Sequence, residues 1–181
     1  MAIYYPPAFI NAYLRDKVSE YFKDNPLDGF EGDFTIPFFP TSPTDITALT
    51  ERFEANDKFA VYDRMLKMRR SPFPHIKSEQ VLYYFYATGE NPIPFIVELT
   101  QQIQDLLDRE DESAEELNAW IKAKQLSSSP LTNDSGEILP MVYFHRLRIY
   151  QLQETRDIID FGTARTYAGN KIIIDYDWHK S

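Results

Sequence analysis

Residues Val81-Leu82-Tyr83-Tyr84-Phe85-Tyr86 run together as β-branched, aliphatic and aromatic side chains without a charge among them. The run is far too short to span a bilayer, and its residue types favour the pleated, extended backbone. In a strand, alternate side chains face opposite sides. Apolar residues on both sides predict a central strand, from about Lys77 to Ala87, covered on each face. The stretch before it, Lys58 to Arg69, matches helix and strand patterns in part. The Ser71-Pro72-Phe73-Pro74 turn between the two segments favours a hairpin, so Lys58 to Arg69 is read as a strand.

The other segments arrange themselves around that hairpin. Phe9, Ile10, Tyr13, Leu14, Val18, Tyr21 and Phe22 recur at helical spacing over residues 7 to 23, after prolines suited to a first turn. Phe34, Ile36 and Phe38 alternate, but Pro37 confines any strand there to an edge or bulge. Thr44-Asp45 is placed to cap a short helix carrying Ile46, Leu49 and Phe53. Phe95, Ile96, Leu99, Ile103, Leu106 and Leu107 form the clearest helical stripe. Ser113 and Glu116 have capping-box spacing and predict a further helix through Leu117, Trp120 and Ile121 to about Lys124. Residues 127 to 136 read as a flexible loop, and Val142 to Leu152 as a strand. Arg156 to Tyr167 reads as a partly helical connector, Gly169-Asn170 as a turn, and Lys171 to Trp178 as a closing strand. These elements predict one domain over residues 1–181, with an extended N-terminal arm at residues 1–6. The expected class is α+β: a small mixed or antiparallel sheet of about four strands packed with three to four helices.

Composition narrows the functions. Zero cysteines exclude disulfides and thiol nucleophiles, and fit a reducing cytosol. No apolar run reaches the roughly 20 residues a membrane helix needs, and the N-terminus carries no secretory pattern. A net charge of −9 opposes sequence-specific DNA binding, which takes basic surfaces. Aromatics reach 15%, with 12 prolines against 6 glycines, a balance suited to shaped surfaces covered by partners.

Catalytic patterns are weak. His75, His145 and His179 lie in separate segments without ligand spacing and read as surface or strand-edge histidines. Asp175, Asp177 and His179 alternate, so a strand would put them on one face, where they form a distant candidate metal site of an enzyme. The alternative is the water-facing side of a strand whose other side is Ile174, Tyr176 and Trp178. The acidic run Asp105 to Glu116 lacks the spacing and glycine of a calcium loop and reads as a solvated helix junction. No glycine-rich phosphate loop or G-x-S-x-G occurs. The expectation is a protein without catalytic residues, cofactor or metal. One contrast remains. Arg64, Lys67, Arg69, Arg70 and Lys77, with His75 and Phe73, form a basic segment on an acidic chain. They are the candidate interface residues, suited to an acidic partner, phosphate or another copy of the chain.

The order of these segments resembles a known family. An N-terminal amphipathic helix leads to Tyr62-Asp63-Arg64, then Arg70-Ser71-Pro72-Phe73-Pro74-His75-Ile76-Lys77-Ser78-Glu79-Gln80 and Leu82-Tyr83-Tyr84-Phe85-Tyr86. A long helix follows, then Phe144-His145-Arg146-Leu147-Arg148-Ile149-Tyr150, Glu154-Thr155-Arg156-Asp157 and Ile172-Ile173-Ile174-Asp175-Tyr176-Asp177-Trp178-His179. From about residue 7 onward this succession resembles the tail completion proteins of T4-like contractile-tailed bacteriophages, specifically the tail tube terminator. The tail sheath stabiliser of the same phages is similar in its order of elements. The resemblance implies a structural virion protein that forms a six-fold ring on the tail tube, stops its growth and joins neck or sheath-terminator proteins. Its partners would be itself, the tube protein and those neck proteins, with double-stranded DNA passing through unread and no membrane involved. A neck or sheath-stabilising role is the alternative. The family has no catalytic residues to carry over.

Overall fold

A computed structural model of the chain describes residues 5–27, 36–40, 51, 57–69, 73–89, 92–155 and 166–181. Among them the order is α1 (Pro6–Asp24), β1 (Phe38–Phe39), β2 (Lys58–Arg69), β3 (Lys77–Gly89), α2 (Pro92–Leu107), α3 (Asp111–Gln125), β4 (Val142–Thr155) and β5 (Thr166–Lys180). The strands form one five-stranded sheet in the order β1-β2-β3-β5-β4. All neighbours are antiparallel except β1, which runs parallel to β2. The fold is α+β, with one strand more than expected. The addition is the two-residue β1, which Pro37 introduces at the sheet edge; the Pro37 carbonyl accepts from Ala60 N at 2.9 Å. No helix among the described residues is long and apolar enough to cross a membrane.

The sheet is two hairpins joined at their inner strands. β2 and β3 form the first hairpin, and β4 and β5 form the second. β3 is central, as its apolar run requires. Register opposite β5 puts Val81, Tyr83, Phe85 and Ala87 beside Ile174, Ile172, Asn170 and Ala168. This is the helix-covered face: Tyr83 Oη donates to Asn11 Oδ1 on α1, and Asn170 Nδ2 donates to Thr100 Oγ1 on α2. On the opposite face Val61 and Ile173 are buried, while Leu82, Tyr84 and Tyr86 are half-buried. Cover on the two faces is therefore unequal, and tyrosines suit the thinner side because their hydroxyls tolerate water.

The helical stripes meet their expected partners. α1 buries Phe9, Ile10, Tyr13, Leu14, Val18 and Phe22. Phe22 stacks on Phe95 of α2 at 5.1 Å between ring centroids, and Tyr13 meets Trp120 of α3 edge-on at 5.7 Å. Each fully buried phenylalanine contributes about 1.5–3 kcal/mol of transfer free energy. Burial also pushes the Tyr13 hydroxyl up to about 12, with the Glu116 charge adding to the effect.

Several local expectations are corrected. Gly169 and Asn170 make no turn; they lie inside β5, which starts at Thr166 rather than Lys171. A Cβ on Gly169 would stand 3.0 Å from the Phe85 carbonyl oxygen, so the glycine serves close strand approach. Ser113 does not cap α3, which begins two residues earlier, at Asp111. Asp111 and Glu112 favour the positive end of the helix there. Ser113 is buried in the first turn, and its Oγ accepts from Arg109 N at 3.3 Å. Residues 127 to 136 lead through a Thr132–Ile138 bridge, with Asn133 Oδ1 accepting from Ser135 N and Glu137 N. At the chain start Pro6 already belongs to α1, and the Tyr5 ring lies 6.4 Å from Tyr62 of β2. The 1–4 part of the expected arm, the expected helix at residues 46–53 except for helical Glu51, and the 156–165 part of the expected connector lie outside the described residues.

Candidate functional site

The β2–β3 turn and the adjoining ends of β4 and β5 form the candidate site. In the part that leads into β3, Ile76 N donates to the Phe73 carbonyl at 3.1 Å, and Phe73 has 56% of its surface exposed. Lys77 opens β3 opposite Trp178, and its Nζ lies 5.1 Å from the centre of the Trp178 ring. That cation–aromatic contact holds the lysine over an apolar floor. Trp178 is fully buried and donates from Nε1 to Glu79 Oε2 at 3.0 Å, the same oxygen that Tyr176 Oη reaches at 3.1 Å.

Pairing of β4 with β5 then brings histidines together. Tyr143 faces His179, His145 two residues on shares that side of the strand, and the register slip between Phe144 and Arg146 brings Arg146 opposite Asp177 on the same face. His145 Nε2 and His179 Nδ1 stand 2.8 Å apart, so one nitrogen carries the proton and the other accepts it. His75 from the turn meets His179 nearly edge-on at 6.3 Å between ring centroids. Tyr143 lies 5.1 Å from His145 and 5.3 Å from His179. All three histidines of the chain thus gather at one end of the sheet. Although His145 is exposed overall, partial loss of water at its ring holds it below the ordinary histidine value, with the His179 charge adding and Asp177 opposing. Beside the cluster is an open cleft of about 280 Å³, lined by Pro74, His75, Lys77, Trp178, His179 and Lys180. No carboxylate among the described residues lines it. A site of this kind can hold an anionic side chain or share a proton across the imidazole pair.

The residues expected from sequence fare differently. Phe73 and Lys77 belong to this site. Arg64, Lys67 and Arg69 lie on β2, where only the backbone is described: Arg64 pairs with Val81, Arg69 with Ser78, and Lys67 sits where the register slips. Arg70 lies outside the described residues.

Asp175, Asp177 and His179 do share a face, but each is engaged. Asp175 accepts from Gln80 Nε2 and pairs with Arg148 at 3.4 Å, while Asp177 pairs with Arg146 at 3.1 Å. His179 pairs with His145. Among the described residues no group of three or more histidine or acidic side chains is placed to hold a metal ion. The picture of a wet face also needs correction. Asp175 is buried, and the carboxylates form a half-buried ladder with the arginines of β4. The histidine cluster has no signature along the chain. The strand register assembles it.

On the helical layer, the turn between α2 and α3 is acidic. Asp105, Asp108, Glu110, Asp111, Glu112, Glu115 and Glu116 are all exposed. Arg109 pairs with Glu112 at 3.5 Å and with Glu116 at 2.7 Å. Glu110 holds φ at +42°, a backbone conformation uncommon outside glycine, at the apex of the elbow.

Neither family models nor curated proteins give a match to this chain.

Proposed function

We propose that this protein is a structural subunit of a contractile phage tail, resembling the tail tube terminator, that assembles head-to-tail into a six-fold ring. The observation that carries the reading is the placement of opposite charge. The basic, aromatic-tipped turn belongs to the sheet, and the exposed acidic elbow belongs to the helical layer. Two different patches on one subunit are what a heterologous contact requires, and such contacts close into rings when the rotation permits. The succession of segments that resembles the tail terminators supports the same assignment. In this reading the ring caps the head-proximal end of the tube, meets neck proteins on its other side, and lets double-stranded DNA pass. The chain performs no catalysis, needs no cofactor and resides in the virion after assembly in the host cytoplasm. An acidic ring suits that passage, because like charge does not trap the phosphate backbone.

Negative-stain images of the purified protein test the reading directly and should show closed six-fold rings. Light scattering after size exclusion should show a smaller species for Arg69→Glu/Arg70→Glu. Co-sedimentation should follow polymerised tubes rather than extended sheaths; binding to sheaths alone would move the protein to the sheath-stabilising role.

A further inference from the structure

The cleft beside the histidines has a composition that the ring reading leaves unexplained. It is lined by Lys77, Lys180, His75 and His179 together with Pro74 and the buried Trp178. Its nearest acids are committed elsewhere: Asp177 is paired with Arg146, and Glu79 accepts from Trp178 and Tyr176. An open cleft lined by two lysines and two imidazoles fits a carboxylate side chain. The same molecule offers an acidic counterpart. The Asp108–Glu110 turn is exposed throughout and followed at once by exposed Asp111. Arg109 is held by Glu112 and Glu116, which leaves the apex itself acidic.

We propose that this cleft is the socket for the α2–α3 elbow of a second copy of the chain, with Glu110 and Asp111 entering between His75, Lys77 and His179. The proposal rests on the ring reading and names the contact that builds it. The socket lies at the end of the sheet and the plug at the junction of two helices, so each copy uses one of each. A contact of this charge forms rapidly and selects its register, because a rotated neighbour would set like charges together. Phe73 stands beside the socket, 6.3 Å from His75 between ring centroids, where a docked neighbour would cover it.

A charge swap tests the pairing. Light scattering after size exclusion is run on the full chain and on Lys77→Glu, on Glu110→Lys/Asp111→Lys, and on the chain carrying all three changes. Circular dichroism and melting check folding, and His75→Glu replaces Lys77→Glu if that variant does not fold. The expected result is assembly of the unaltered chain, at least about tenfold weaker assembly for each one-sided variant, and recovery in the combined chain. If the unaltered chain assembles and Lys77→Glu assembles equally well, the socket is wrong while the ring stands. Loss in both one-sided variants without recovery in the combined chain likewise overturns the pairing. An unaltered chain that stays solitary at high concentration removes the ring and the socket together.

Discussion

His145 shows how one side chain can make the fold sensitive to pH. Its imidazole stays exposed overall but loses part of its water and faces His179, so the protonated form is disfavoured in the folded chain despite Asp177 nearby. The unfolded chain takes up that proton at about pH 6.5, whereas the folded chain resists until lower pH. A base whose folded value is depressed contributes stability above its unfolded value and loses it as pH falls through that range. The melting temperature should therefore fall between about pH 7.5 and about pH 5.5, and the fall should be smaller in His145→Gln. A calorimetric pH series on both proteins measures this; equal slopes would show that the pair does not couple to stability. Neither histidine advertises its partner along the chain. They lie 34 residues apart, and the antiparallel register alone makes them neighbours.

At the level of elements, β4 is an edge strand of 14 residues, the kind of surface that invites pairing with other chains. α3 closes part of it. Asn118 of that helix donates from Nδ2 to the Phe144 carbonyl at 2.7 Å and accepts from Phe144 N at 2.8 Å. One amide side chain thus supplies both halves of a strand neighbour, at the point where the bulge begins. Asn118→Ala leaves both groups without that partner and should cost about 1–3 kcal/mol in denaturant unfolding. The same variant should aggregate sooner on heating, read by turbidity, because the edge opens at the bulge. The helices and hairpins were legible because their signals are local. Prolines start α1, the apolar stripe sets α2, and a proline-bounded turn separates β2 from β3. The misread elements are those where a distant contact overrides the local signal. Gly169-Asn170 looks like a turn in isolation, yet Phe85 and Thr100 hold it in a strand.

For the whole molecule, net charge and its distribution pull in different directions. At −9 the copies repel one another at long range, while the basic turn and acidic elbow attract at contact. Salt screens both, but the exposed contact charges are the terms that fix the assembly's geometry. Raising salt from about 0.05 to about 0.5 M should therefore shift light scattering toward smaller species. The thermal stability of the single subunit should change little over that range, because its core is apolar and aromatic. An assembly indifferent to salt would assign the contact to apolar surface instead. The chain by itself determined the element types, the α+β class, the central place of β3 and the two opposed charge clusters. Each of these follows from side-chain periodicity or from composition over a short window. The tertiary structure alone decided that three scattered histidines share one end of the sheet, that Asp175 and Asp177 pair with arginines of β4, and that a cleft with two lysines lies beside Trp178. Those features depend on which strand lies beside which, and in what register. A one-residue slip sends every side chain to the opposite face, and no short window of sequence carries that information.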